Sequence, residues 1–322
     1  MTETTRLDPT KPVHLRGSGV SVVVDLAGPG LPRIVHWGAD LGDLAIESLL
    51  DLVSASRPAG VAGAFDTYYP ASVVPETSRG WQGTPGLVGS RDGRDHSTSF
   101  DVAEAIRETA GDGESLAERL TVIARDRFAD LELEIVIEML ASGLVRLRGS
   151  LESLGHGSAG EAVTYRLDQL FVALPVPREA NEILDFTGRW IRERTPQRTA
   201  FTLGARLREA RGGKPGHDAA FVTAAGPSGF GFRSGEVWMT HLGWSGNSRS
   251  IAERRNDGTG LLGACELLLP GEVALGPGDK YVGSWLYGAY SPMGLDQAGA
   301  RFHEHLRSLP TYPQRPRPIT VN

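Results

Sequence analysis

Nine consecutive residues, Leu131-Glu132-Leu133-Glu134-Ile135-Val136-Ile137-Glu138-Met139, constrain this chain more than any other segment. Successive side chains of a strand point to opposite faces. Leu131, Leu133, Ile135, Ile137 and Met139 then share one apolar face, with Glu132, Glu134 and Glu138 on the other. The pattern predicts a half-buried strand whose carboxylates face solvent. Ala141-Ser142-Gly143 turns the chain into Leu144-Val145-Arg146-Leu147-Arg148-Gly149-Ser150, which predicts a hairpin. Its arginines come near the glutamates of the preceding strand, at a gain of roughly 0.2–1 kcal/mol per pair.

The rest of the chain repeats this grammar. Its 41 glycines and 20 prolines separate short apolar runs. Strands are predicted at 20–26, 34–37, 99–109, 120–124, 162–174, 199–209, 219–225, 229–233, 236–242, 261–268 and 282–287. Two segments have helical spacing instead: 43–55 through Leu44, Ile46, Leu49, Leu50 and Val53, and 294–306 through Leu295, Ala298, Phe302 and Leu306. Many strands with few helices predict a sandwich or barrel rather than a doubly wound sheet. Beyond the second helix, prolines 310, 313, 316 and 318 favour an extended connector.

Charge and composition exclude several classes of function. A chain of 322 residues with a net charge of −6 and no basic run repels phosphate backbones and anionic lipid. Nucleic acid and membrane are therefore not expected partners. The first 12 residues are polar and lack the apolar core of a signal peptide, and no apolar run has transmembrane length. A cytoplasmic location is expected. The lone cysteine, Cys265, sits in an apolar run, excludes an internal disulfide and reads as a packed hydrophobe.

A search for chemistry finds fragments only. There is no phosphate loop and no glycine fingerprint opening a helix. Gly243-Trp244-Ser245-Gly246-Asn247 approaches a nucleophile elbow but lacks its last glycine and the helix behind it. His303 and His305, two apart on a helix, point to different sides and read as surface residues. Polar and aromatic residues cluster in three loops: Arg79 to Leu87 continuing to Gly93-Arg94-Asp95-His96-Ser97, Gly216-His217-Asp218, and His241 to Ser248. Tryptophan beside such groups suits a sugar, the ring covering an apolar face and the polar groups taking hydroxyls. Packing of the same tryptophans between two sheets is, position by position, the favoured reading, since large aromatics dominate cores.

At these loops the sequence resembles the amino-terminal domain of microbial α-galactosidases of glycoside hydrolase family 36. The resemblance rests on Gly28 to Asp40, the Gly80 to Arg94 loop, Leu184 to Arg194, Trp244-Ser245-Gly246-Asn247 and Trp285-Leu286-Tyr287-Gly288. It implies a mainly β fold, a β-supersandwich of two large antiparallel sheets with a C-terminal linker helix. The implied divisions are a polar tail at 1–12, the supersandwich at 13–292, and at 293–322 the linker helix and proline-rich connector to an absent (β/α)8 catalytic barrel. The implied reaction is retaining hydrolysis of terminal α-D-galactosyl residues by two carboxylates about 5–5.5 Å apart. Both belong to the barrel, so the resemblance gives this chain no catalytic residue, no metal and no cofactor, and predicts inactivity on its own.

What remains is a scaffold, a homo-oligomer surface and distal contacts to α-galactoside oligosaccharides. In the family a loop of this domain lies near a neighbouring subunit's active site. Trp81, Arg94, Asp95 and His96 are the expected substrate-binding residues, since the family pattern there has an aspartate near an arginine. Two other readings stand beside this one. A mutarotase-like enzyme would need a histidine facing a glutamate, with His217 or His241 and Glu236 the nearest candidates. A stand-alone carbohydrate-binding module would rest on the tryptophan-rich loops.

Overall fold

The structure is a computed structural model and describes residues 3–57, 71–109, 116–159, 163–217, 222–313, 315 and 318–319. Asp218, the first residues of the strand predicted at 219–225, and most of the connector beyond Pro313 lie outside the described residues.

Strands β1 (Glu3–Arg6), β2 (Val13–Gly17), β3 (Val20–Asp25) and β4 (Arg33–Ala39) lead into helix α1 (Ile46–Ala55). After a 3-10 turn at Thr77–Arg79 come β5 (Leu87–Ser90), β6 (Asp101–Thr109), β7 (Leu116–Asp126), β8 (Leu131–Leu140) and β9 (Leu144–Ser153). Then follow β10 (Tyr165–Leu170), β11 (Val172–Val176), β12 (Glu182–Arg189), β13 (Arg192–Ala200) and β14 (Gly204–Ala210). The last strands are β15 (Val222–Gly226), β16 (Val237–Leu242), β17 (Ser248–Arg254), β18 (Gly260–Glu266), β19 (Val273–Leu275), β20 (Lys280–Val282) and β21 (Leu286–Ser291). Helix α2 (Leu295–Ser308) is the last element among the described residues.

The fold is mostly β, as the alternation predicts. One antiparallel sheet of eleven strands runs β1-β6-β7-β8-β9-β21-β16-β15-β12-β13, with β20 also pairing β9. Across from it lie three shorter sheets, β2-β3-β4, β19-β10-β5 and β11-β18-β17-β14. The second layer is divided because the run predicted as one strand at 162–174 breaks at Phe171, whose N–H donates to Gly86 in a loop. β10 and β11 thus join different sheets. The run at 199–209 breaks likewise at 201–203, between β13 and β14.

Leu131, Leu133, Ile135, Ile137 and Met139 of β8 all point into the core with no exposure. They meet Leu15 and Val22 from the second layer and Tyr165, Leu167 and Leu262 from its other two sheets, in one apolar cluster. Each such side chain contributes about 1.5–3 kcal/mol on burial. The layers approach closely where β21 carries Gly288. A Cβ there would sit 2.7 Å from the Trp37 ring, so only glycine fits without displacing it. Trp238 adds a polar tie, its Nε1–H donating to the Trp37 carbonyl at 2.9 Å.

Helix α2 lies on the opposite face of the large sheet. Leu295, Ala298 and Phe302 pack with Leu140, Leu144, Leu184, Val237 and Ala289 in a second apolar cluster. Its N-terminus is capped by backbone: the N–H groups of Leu295 and Asp296 donate to the carbonyls of Gly231 and Phe232 at 3.0 and 2.8 Å. That explains why 229–233, predicted as a strand, is a loop instead. Its carbonyls serve the first turn of a helix, whose N–H groups have no intrahelical partner. Buried Arg301 then reaches outward, donating to the carbonyls of Tyr290, Ser18 and Ser142 at 2.9, 3.0 and 2.8 Å.

Inside the amino-terminal stretch read as a polar tail, Glu3–Arg6 forms β1 and pairs with β6. All four of its side chains are exposed, so the ladder's hydrogen bonds, not burial, place it. No helix among the described residues is long and apolar enough to cross a membrane.

Candidate functional site

The loop after β5 begins with a tight reversal. Arg91 and Arg94 exchange both backbone hydrogen bonds at 2.9 Å around Asp92-Gly93, whose φ values are 46° and 77°. Asp-Gly is favoured where two successive residues need positive φ. The reversal drives Arg91 inward until its side chain has no exposure. There its guanidinium pairs with Asp95 at 3.1 Å, donates to Ser153 Oγ at 2.8 Å, to the Gly155 carbonyl at 3.1 Å and to the Ala129 carbonyl, and lies over the Tyr165 ring. Asp95 also accepts from the Ser158 hydroxyl.

Two of the four residues expected to touch sugar are therefore committed elsewhere. The Asp95 side chain is 4% exposed and bound to Arg91 and Ser158. Trp81 is 4% exposed and packs with Phe171, Ile251 and Cys265, its Nε1–H donating to the Thr84 carbonyl at 2.8 Å and Arg255 lying over its ring. Arg94 and His96 stand exposed at the tip, His96 Nδ1 lying 3.2 Å from the Gly93 carbonyl. Trp81 shares no hydrogen bond with the other three among the described residues; its loop is tied to β17 by Glu253, which accepts from Thr84 N–H at 2.8 Å.

Beneath this loop, Glu76 lines a cavity of about 20 Å³ with Leu31, Arg33, Ser72 and Arg79. Burial pushes its carboxyl up to about 7. The oxygens accept backbone N–H groups of Leu31 and Phe100, each at 2.9 Å. A space of that size holds about one water, so Glu76 fastens two loops rather than meeting a substrate.

A second polar assembly was not foreseen. Glu108, Arg119, Glu138, Arg146, Tyr287 and His241 stand directly opposite one another across β6, β7, β8, β9, β21 and β16. Glu138, expected to face solvent, has no exposure at all. Arg119 Nε donates to one of its oxygens at 2.7 Å and Arg146 Nε to the other at 2.5 Å. A buried charge needs such partners, because desolvation costs several kcal/mol per ion. Trp285 lies between Arg146 and Arg148, each guanidinium 4.4 Å from its ring centre.

Helix α2 covers one end of this row. Phe302 meets His241 edge-on at 6.1 Å and His305 meets Tyr287 at 5.7 Å. His303 is exposed as expected, but His305 is buried, and desolvation together with the Arg146 charge lowers its pKa. The correction for Glu138 and His305 has one cause: where α2 lands cannot be read from either segment alone.

The mutarotase-like pairing does not assemble from its nominated residues. His241 faces α2, whereas Glu236 accepts from the Tyr290 hydroxyl, and Tyr290 packs on Trp238 within the main core. His217 is exposed in a loop. Ser245, in the segment that approaches a nucleophile elbow, sits in the β16–β17 hairpin without a helix behind it. Burial pushes the Cys265 thiol up to about 12, away from reactivity.

Comparison with known proteins places this geometry. Residues 30–276 match the glycosyl hydrolase family 36 N-terminal domain. An α-galactosidase of Escherichia coli is 32% identical over 292 residues, covering 90% of this chain and 39% of that protein. Among solved structures, a GH36 α-galactosidase AgaA variant from Geobacillus stearothermophilus in complex with raffinose superimposes with a TM-score of 0.75 at 19% identity. It covers 92% of this chain and 43% of that one. The α-galactosidase from Lactobacillus brevis gives 0.77 at 14% identity, covering 92% and 42%. The chain thus spans less than half the length of each of these relatives.

Proposed function

The chain belongs to the glycosyl hydrolase family 36 N-terminal domain family, and we propose that it is the non-catalytic part of an α-galactosidase that hydrolyses terminal α-D-galactosyl residues with retention. The observation that carries this reading is the family match over 30–276 joined to the 32% identity with an α-galactosidase. The state of the polar groups supports it. Asp95, Glu138 and Asp185 are each held in ion pairs with arginine, and a general acid or nucleophile must be able to reach substrate.

In this reading residues 293–322 lead to a (β/α)8 barrel that carries both catalytic carboxylates. The β-supersandwich serves as scaffold and self-association surface of a cytoplasmic homo-oligomer. The loop at 81–97 reaches the distal part of an α-galactoside. Arg94 and His96 are its contacts, while Asp95 and Trp81 hold the loop in shape. Raffinose and stachyose, bound by the Geobacillus relative's variants, are the class of substrate.

The test is turnover of an aryl α-galactoside by the purified 322-residue chain and by the same chain joined to a family barrel. No turnover alone and activity when joined is the expected result. Turnover by the isolated chain overturns the reading.

A further inference from the structure

The chain has six tryptophans, and the fold sorts them. Trp37, Trp81 and Trp238 are buried, and Trp285 has its ring between two guanidiniums. Trp190, 75% exposed at the tip of the β12–β13 arm, has no hydrogen bond holding its ring among the described residues. Trp244, in the β16–β17 hairpin, is both exposed, at 41%, and fixed. Its Nε1–H donates to the Asn247 carbonyl at 3.1 Å. The ring lies against Gly246, where a Cβ would stand 2.6 Å from Nε1 and 2.8 Å from Cε2. Glycine is what lets the indole close down on the turn.

Polar groups form a circuit around this platform. The Asn247 carbonyl also accepts the Leu267 N–H at 2.9 Å, and Ser248 faces Glu266 across β17 and β18. Glu266 accepts the Ser284 hydroxyl at 2.5 Å. Trp285, next to Ser284, accepts the N–H of Gly243 at 2.8 Å, and Gly243 adjoins Trp244. So short a circuit encloses one small patch. Within it the Tyr281 hydroxyl also bonds Glu266, so two hydroxyls orient this half-buried carboxylate. The Gly213 N–H donates to Asn247 Oδ1 at 2.8 Å, which fixes the amide and leaves its Nδ2 a donor without a partner among the described residues.

An indole beside an oriented carboxylate and a free amide N–H matches a pyranose. The C–H face of the sugar covers the ring, while neighbouring hydroxyls donate to the carboxylate and accept from the amide. The carboxylate, on a chain of net charge −6, repels anionic ligands. A single carboxylate does not supply the pair that glycoside hydrolysis uses, so the patch binds without cleaving. We propose that Trp244, Asn247 and Glu266 form a binding site for a neutral saccharide, sharing no residue with the loop at 81–97. The site does not rest on the catalytic reading, because all its groups belong to this chain.

Titration of raffinose into the 322-residue chain, followed by tryptophan fluorescence, is expected to saturate, with no such change from glycerol. Binding by variants is read by saturation-transfer NMR on the sugar, since Trp244→Ala removes the reporter with the platform. Trp244→Ala is expected to weaken binding at least ~10-fold, as loss of an aromatic anchor does. Glu266→Gln is expected to weaken it ~5-fold by removing a charge-assisted acceptor. Gly246→Ala, which displaces the ring and keeps its chemistry, is expected to lie between the two. Circular dichroism reports whether each variant is folded; should Trp244→Ala fail to fold, the other two carry the test. No saturable response to raffinose, or an equal response to glycerol, overturns the site. Binding that survives Trp244→Ala and Glu266→Gln but is lost in Arg94→Ala assigns the sugar to the loop at 81–97. That result overturns the site and leaves the proposed function standing.

Discussion

The hairpins β8–β9 and β12–β13 belong to one sheet and share a taste for arginine and glutamate, yet they spend their charges differently. In β8–β9, Glu138 is sealed between Arg119 and Arg146, and the opposite face carries five fully buried apolar side chains. In β12–β13, nearly every β13 side chain is exposed, and Pro196 with Arg192, Arg194 and Arg198 lines an outer edge that no strand pairs among the described residues. The first hairpin is held by what covers it. The second projects and is shielded from indiscriminate edge pairing by charge and proline, as exposed edge strands generally are. Similar composition therefore signals a buried ion-pair row in one place and a presented surface in another, and the difference lies in what packs above.

Substitutions that break this contrast have graded effects. Glu138→Ala leaves two guanidiniums without their shared carboxylate and is expected to cost about 3–5 kcal/mol in denaturant unfolding. A carboxyl buried without an ion pair behaves in the opposite sense. Glu76, at about 7 folded against 4.5 ordinarily, holds its proton more tightly when folded. Its contribution to stability is greatest below pH 4.5 and is lost as pH rises through about 7, on the order of 3 kcal/mol. Glu76→Gln should flatten that part of the stability profile; an unchanged profile would assign it to another group.

Asp95→Ala leaves Arg91 with only neutral acceptors and is expected to cost about 2–3 kcal/mol. His305 sharpens the comparison through pH. Its pKa is lowered on folding from an ordinary 6.5, so the stability it confers on α2 is present above 6.5 and is lost as pH falls below it. Amide exchange in α2, corrected for intrinsic rates, should quicken at pH 5 relative to pH 7.5 in the wild type and do so less in His305→Phe. On the projecting arm, Trp190→Ala should change the unfolding free energy of the separated chain by no more than about 0.5 kcal/mol. A large loss there would mean the tip belongs to the core after all.

The sequence carried the inward face of β8, the β8–β9 turn and α2 clearly, because each is a local period that burial enforces. It carried β12–β13 poorly. With both faces wet, Arg192 to Ala200 has no reason to alternate, and only the resemblance marked part of it. The loop at 81–97 is legible in the sequence, but its anchor is not. Arg91 stands one turn before the more conspicuous Arg94-Asp95-His96, and its burial depends on Ala129, Ser153 and Gly155, which are distant in sequence. The burial of Glu138 is hidden for the same reason: its partner Arg146 is visible across the turn, whereas Arg119 and the covering helix are not.

Arg301 gives the fold a clock. Its guanidinium satisfies the Ser18 carbonyl across 283 residues of sequence. At about 5–20 residues per second of synthesis, the β2–β3 turn waits roughly a quarter of a minute to a minute for the side chain that completes it. During that interval the amino-terminal strands are made but not locked. A nascent chain is then most open to chaperones and proteases around its β2–β3 turn, until helix α2 emerges and shuts it.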